Sequence, residues 1–248
     1  MFQKTFFWVF IFSTAILILP VLLEWLRTPP GYVYTGLHGG SIDYFTYIGK
    51  MAWGAEGHWT YPDRFTPEET KAVPIYAFYL ALGQLAALLK VPLYWVYHVT
   101  RSFLGGIALA WLWVLLERTL PKSRVPLAWW LAVMASGSGL FMIVEQWEGV
   151  EYYVQAHLYL GAMVFPHYMA DFLGYLAVLY SYITVRNDTR GRLIRPVLLA
   201  AGGGLLVGMV HPFLLLLLVT IPPIHSLIFD REKIKVAILL SMAVIAGS

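Results

Sequence analysis

The chain has 248 residues, 59% of them hydrophobic and 12% charged, with a formal net charge of +3 and no cysteine. About a quarter of a soluble domain's residues are charged, so this composition argues against a water-soluble helical protein. Disulfides and thiolate metal sites are excluded, and the few basic residues sit in short loops, which is a topology signal rather than a nucleic-acid footprint.

The first apolar segment runs from about Thr5 to Leu26, preceded by Lys4. Its apolar core is too long for a signal peptide and no small-x-small cleavage site follows, so it reads as a retained first helix. Residues 27–72 form a polar loop rich in Pro, Gly and Tyr. Within it, Phe45, Ile48, Ala52 and Ala55 follow helical spacing, with Asp43 at the N-cap position and Gly57 as the stop. Thr66, Pro67 and Glu69 have the order of a capping box that opens a second short helix. The loop is therefore expected to lay two amphipathic helices on the membrane surface, held by Tyr47, Trp53, Trp59 and Tyr61.

Residues 73–90 are apolar and barely long enough to span. Residues 91–101 have the composition of a membrane interface, with Tyr94, Trp95, Tyr97, His98 and Arg101. Spans follow at about 102–116, 126–144 and 166–185. Residues 196–229 are one apolar run interrupted at His211, Pro212 and Phe213, which predicts two helices meeting near Pro212. The last apolar segment starts near Val236 and is too short to span before Ser248, as in the N-terminal part of a longer chain. The expected fold is an all-α polytopic membrane protein, a single transmembrane domain over 1–248. It would have about six to eight transmembrane helices and short amphipathic surface helices in the first extracytoplasmic loop.

Positive residues orient such a chain, because they favour cytoplasmic loops. Lys4, the loop Arg118–Arg124, the loop with Arg186, Arg190, Arg192 and Arg195, and the loop with Arg231, Lys233 and Lys235 would all be cytoplasmic. This requires that 73–90 does not fully cross, or that the number of helices there differs by one. It places Asp43, His58, the loop with Glu145, Glu148, Glu151 and His157, the His167/Asp171 pair and His211 on the opposite face, where they can converge on one cavity.

Each of these residues has two readings. Asp43 fits a general base or a helix cap. Glu145, Glu148 and Glu151 would crowd one helical face, which raises a carboxyl pKa or recruits a divalent cation, or else they form a solvated loop face. His167 and Asp171 share a helical face at i, i+4, and a carboxylate inside a span must face a wet cavity or a partner. His211 lines a site or caps a helix break. The glycines at 202–204 and 208 read as close helix packing. No HExxH, glycine-rich phosphate loop or Ser–His–Asp arrangement is present.

Asp43 with YFTYIGKMAWGAEGHW, Pro74 with IYAFYLALGQL, Arg101 and the loop at 145–157 follow one another in a recognisable order. In that order the chain resembles the N-terminal half of a type C, lipid-linked-sugar integral membrane glycosyltransferase of a bacterial branch. The resemblance implies inverting transfer of a sugar from a polyprenyl phosphate or diphosphate carrier to an acceptor at the extracytoplasmic face of a bacterial plasma membrane. Asp43 would be catalytic. Arg101, His58, Glu145, Glu148, His167, Asp171 and His211 would bind substrate. The chain departs from the family in having no paired acidic residues at 43, spaced glutamates in the second loop, and no C-terminal half. No metal is assigned, and the partners expected are the bilayer, the polyprenyl-linked donor and an acceptor, not nucleic acid. A transporter or lipid flippase using His167, Asp171 and the broken 196–229 segment is the alternative, and a non-catalytic assembly subunit is a third reading.

Overall fold

A computed structural model describes residues 2–37, 41–62, 66–74, 76–134, 158–187 and 192–248. Among the described residues the regular secondary structure is helical, apart from a single bridge between Tyr61 and Val73. Four helical stretches among them are long and apolar enough to cross a membrane: Lys4–Leu26, Leu93–Thr119, Pro166–Asn187 and Pro212–Phe229. The expected six to eight crossings are not confirmed by these four, and most of the span expected at 126–144 lies outside the described residues. The other apolar helices are shorter, because prolines and loops cut the runs that hydropathy alone joins together.

The chain divides into two compact units. One comprises Met1–Phe45 and Tyr94–Met169, and the other Thr46–Leu93 and Ala170–Ser248.

The first unit is built on α1 (Phe2–Leu26) and α4 (Leu93–Thr119), with α5 (Val125–Met134) and α6 (Leu158–Val164) against them. Trp25 meets Trp95, Leu17 meets Arg101, and Thr14 lies against Gly106. The number falls along α1 as it rises along α4, so the two helices are antiparallel. Lys4 and Arg118 are therefore at one end of the pair, and residues 26 and 93 at the other. The chain between 27 and 92 leaves and returns at the same end, which is the condition the charge pattern required.

The aromatic residues 93–101 are not a separate interfacial segment, as expected, but the first turns of α4. Val96, Tyr97, His98 and Arg101 are buried, Tyr94 and Trp95 are half-buried, and Val99 is exposed. Trp129 on α5 donates its indole N–H to the Leu109 carbonyl at 2.8 Å, tying α5 to α4.

In the second unit, α3 (Ala77–Leu89) has 13 residues. At about 1.5 Å per residue it is roughly 20 Å long, short of a hydrocarbon core of about 30 Å. The expected helix break at Pro212 is present. α8 (Ile194–Val210) ends at His211, a 3-10 turn covers Pro212–Leu214, and α9 (Leu215–Phe229) follows. α7 (Pro166–Asn187) runs parallel to this second half. Asp171 pairs with His211, the Tyr175 hydroxyl donates to the Leu214 carbonyl, Tyr182 bonds His225 and Ser226, and Arg186 pairs with Asp230.

Small residues set the spacing in this unit. A Cβ on Gly204 would lie 2.2 Å from the Val244 carbonyl oxygen of α10 (Ile234–Gly247), and one on Gly203 would lie 2.7 Å from that of Gly174. Backbones this close require glycine.

Candidate functional site

Helix α2 (Ser41–Ala55) starts two residues before Asp43, so Asp43 is not the N-cap but a first-turn carboxylate. Negative charge there suits the helix dipole, and the side chain is exposed. Gly57 ends the segment as expected, at φ +94° with its N–H on the Gly54 carbonyl. The second surface helix does not form. The Thr66 hydroxyl instead accepts the Glu68 N–H at 3.3 Å, a local turn that competes with helix. Residues 66–74 are non-helical and α3 begins only at Ala77.

Arg101 is not at an interface. It is fully buried, with one guanidinium nitrogen donating to Ala162 at 2.6 Å and another to Leu17 at 2.9 Å, both backbone carbonyls. Its Nε donates to His98 Nδ1 at 3.4 Å, and His98 in turn bonds the Gly36 carbonyl. A charge enclosed this way ties α1, α4 and α6 together, and a lipid phosphate would have to displace those carbonyls to reach it. Gly36 has φ +80°, and a Cβ there would lie 2.3 Å from the Tyr44 hydroxyl. The Tyr44 hydroxyl donates to Thr35 at 2.9 Å. Burial raises its pKa, as it does that of Tyr34, whose hydroxyl also faces Glu24. His167 is buried in this unit against the rings of Phe165 and Tyr168.

His58 lies on the surface of the second unit, stacked on Trp53 with ring centroids 3.9 Å apart and 3.8 Å from the Glu56 carboxylate. These contacts hold a loop in place. Nearby, Lys50 is buried, a position that sequence inspection passed over. Its Nζ lies 3.2 Å from the centroid of Tyr76 and 4.9 Å from that of Tyr47. The signal was available in the spacing of Tyr47 and Lys50, one helical turn apart, but Tyr76 comes from a distant segment. It sits in the left-handed region at φ 62°, a backbone conformation uncommon outside glycine.

The pair that the fold does assemble is Asp171 with His211, forty residues apart in the chain. Asp171 Oδ2 meets His211 Nδ1. The Asp171 side chain is 6% exposed and that of His211 24%. A cleft of about 450 Å³ is lined by Tyr76, Ala77, Met209, Val210, Pro212 and Ser248 among others. Among the described residues no group of three or more His, Asp or Glu side chains could hold a metal. Glu145, Glu148, Glu151 and His157 lie outside the described residues.

No protein-family model, curated protein or solved structure matches the chain.

Proposed function

We propose that the chain acts as a membrane glycosyltransferase, moving a sugar from a polyprenyl phosphate or diphosphate carrier to an acceptor on the face opposite Lys4. The observation that supports this reading is the setting of Asp43. It is an exposed carboxylate in the first turn of α2, inside a segment whose ends both lie at the Trp25/Trp95 end of the α1–α4 pair. An exposed carboxylate in this segment is open to an acceptor hydroxyl. In the reaction Asp43 takes the acceptor O–H proton, the acceptor oxygen attacks the anomeric carbon, and the bond from that carbon to the carrier phosphate breaks with its electrons on phosphate. Asp43→Asn keeps the shape of the side chain and removes the base. In membranes supplied with a polyprenyl-linked sugar it is expected to lose transfer. Transfer undiminished by this variant excludes Asp43 as the base.

A second reading has one observation in its favour. Asp171 and His211 pair at the break between two helices, and ionisable pairs beside broken helices are a transporter device. Proton-coupled transport abolished by Asp171→Asn, with no sugar transfer by the native chain, favours this reading.

A further inference from the structure

From Ala170 to Ser248, every Arg and Lys falls between 186 and 195 or between 231 and 235. The fold of the second unit makes one surface of these two stretches. Arg186 Nε lies 3.1 Å from Asp230 Oδ2, which sets the end of α7 beside the end of α9. α8 begins at Ile194, soon after α7 ends at Asn187, and α10 begins at Ile234, soon after α9 ends at Phe229. The Ser241 hydroxyl donates to the Val219 carbonyl at 2.7 Å, so α10 folds back along α9 and its basic start stays at the same end. Arg186, Arg192, Arg195, Arg231 and Lys235 are exposed there, and Lys233 is half-buried.

The acids of these stretches, Asp188, Asp230 and Glu232, are outnumbered. Asp230 is engaged by Arg186. Arg195, Lys233 and Lys235 form no ion pair or side-chain hydrogen bond among the described residues. Apolar surface adjoins them. Ile194 and Leu198 on α8 and Leu227, Ile228 and Phe229 on α9 are exposed, Ile194 at 76% and Phe229 at 70%. Each lies within one helical turn, about 5 Å along the axis, of a basic residue. Cations at the rim of an apolar belt match a phospholipid. Its phosphate meets guanidinium and ammonium groups while its chains lie on the belt. A zwitterionic lipid offers the same chains but balances its own phosphate, so the excess positive charge favours a net anionic headgroup. The positive-inside rule accounts for where such residues settle during insertion. It does not require that the folded protein leave them unpaired beside exposed Ile and Phe.

We propose that this end of the second unit binds anionic phospholipid, with Arg195, Lys233 and Lys235 on the headgroup phosphate and the exposed side chains at 194, 198 and 227–229 under the acyl chains. This goes beyond the transferase reading and does not rest on it. A soluble phosphate shares the headgroup's charge but has nothing to cover the apolar belt, which is why the occupant is a lipid.

The test is native mass spectrometry of the full chain, released from micelles that hold equimolar phosphatidylglycerol and phosphatidylcholine with the same acyl chains. Each basic side chain at an anionic surface is worth about fivefold in binding, so phosphatidylglycerol should be retained over phosphatidylcholine by about tenfold or more. The triple variant Arg195→Gln/Lys233→Gln/Lys235→Gln should bring the two lipids close to parity. Lys122→Gln/Arg124→Gln, in the first unit, should leave the preference in place. Equal retention of the two lipids by the native protein, a preference that survives the triple variant, or one lost equally in the Lys122/Arg124 variant overturns the proposal. So does displacement of the lipid by millimolar glycerol phosphate, which assigns the patch to a soluble phosphate instead. Should the triple variant fail to fold, ionic strength decides. Raising ammonium acetate to about 0.5 M should abolish the native preference by screening, and a preference indifferent to salt overturns the assignment to these charges. Sugar transfer enters none of these readouts, so loss of the transferase reading leaves the result intact.

Discussion

The guanidinium of Arg101 donates to the backbone carbonyl of Leu17 at 2.9 Å, and so joins two helices that are far apart in sequence. Its other donors reach Ala162 and His98. Inside an apolar environment each of these bonds is expensive to leave unmade, about 1–3 kcal/mol per group. Arg101→Met should destabilise the first unit by about 3 kcal/mol or more. Arg101→Lys, with one point charge in place of a planar fork, should recover only part of the loss. Thermal unfolding in detergent measures both, and a native-like midpoint for Arg101→Met contradicts this account.

Gly204 and Gly202 make a paired test. The Cβ of Gly204→Ala meets the Val244 carbonyl, whereas Gly202 has nothing within 4 Å of the corresponding position. Gly204→Ala is expected to lower stability by about 1–3 kcal/mol through overpacking. Gly202→Ala should be neutral or slightly stabilising, since alanine favours helix over glycine. Equal melting points for the two variants would remove close packing as the role of Gly204.

The absence of cysteine from the chain makes single-cysteine topology mapping direct. Lys4→Cys and Lys122→Cys should react with a membrane-impermeant maleimide from one face, and Val33→Cys from the other. The charge rule adds Arg192→Cys and Lys235→Cys to the Lys4 face. Labelling of Lys4→Cys and Lys122→Cys from opposite faces contradicts the antiparallel α1–α4 pair.

Tyr34 and Tyr44 predict an alkaline loss of stability. Burial raises both phenol pKa values in the folded state, and Glu24 adds to the effect at Tyr34. The unfolded chain then releases these protons first as pH rises through about 10. The stabilisation is fully present below that pH and declines above it. Melting temperatures between pH 9 and 11.5 should fall, and Tyr34→Phe should fall less steeply. An unchanged slope in that variant separates Tyr34 from the effect.

Several features were legible in the sequence because they are local. Pro212 predicts a helix break wherever it sits, since its ring and missing N–H act on neighbouring residues. Gly57 stops α2 for an equally local reason. The same local logic failed at Thr66, where the hydroxyl satisfies a turn N–H as readily as a helix N–H and nothing nearby tips the balance. It also failed at Arg101. An arginine among aromatic residues has the composition of an interface, and only the Leu17 and Ala162 carbonyls reveal that it is enclosed.

The candidate residues divide in the same way. Sequence grouped His167 with Asp171 by helical spacing, but the bond that forms is between Asp171 and His211. It depends on α7 and the 211–229 segment running parallel, a relationship forty residues of chain separation conceal. Lys50 went unnoticed because its partner Tyr76 is brought to it by the turn before α3.

What the sequence determined by itself is the solvent this protein needs. Its apolar runs, scarce charges and basic loops are sums over residue types, and sums survive without coordinates. They settle an apolar, helical chain and an expectation of which ends share a face. The tertiary structure decided which polar side chains are enclosed and which remain open. Pairing inside an apolar interior depends on geometry at the scale of one hydrogen bond, and helices distant in sequence set that geometry.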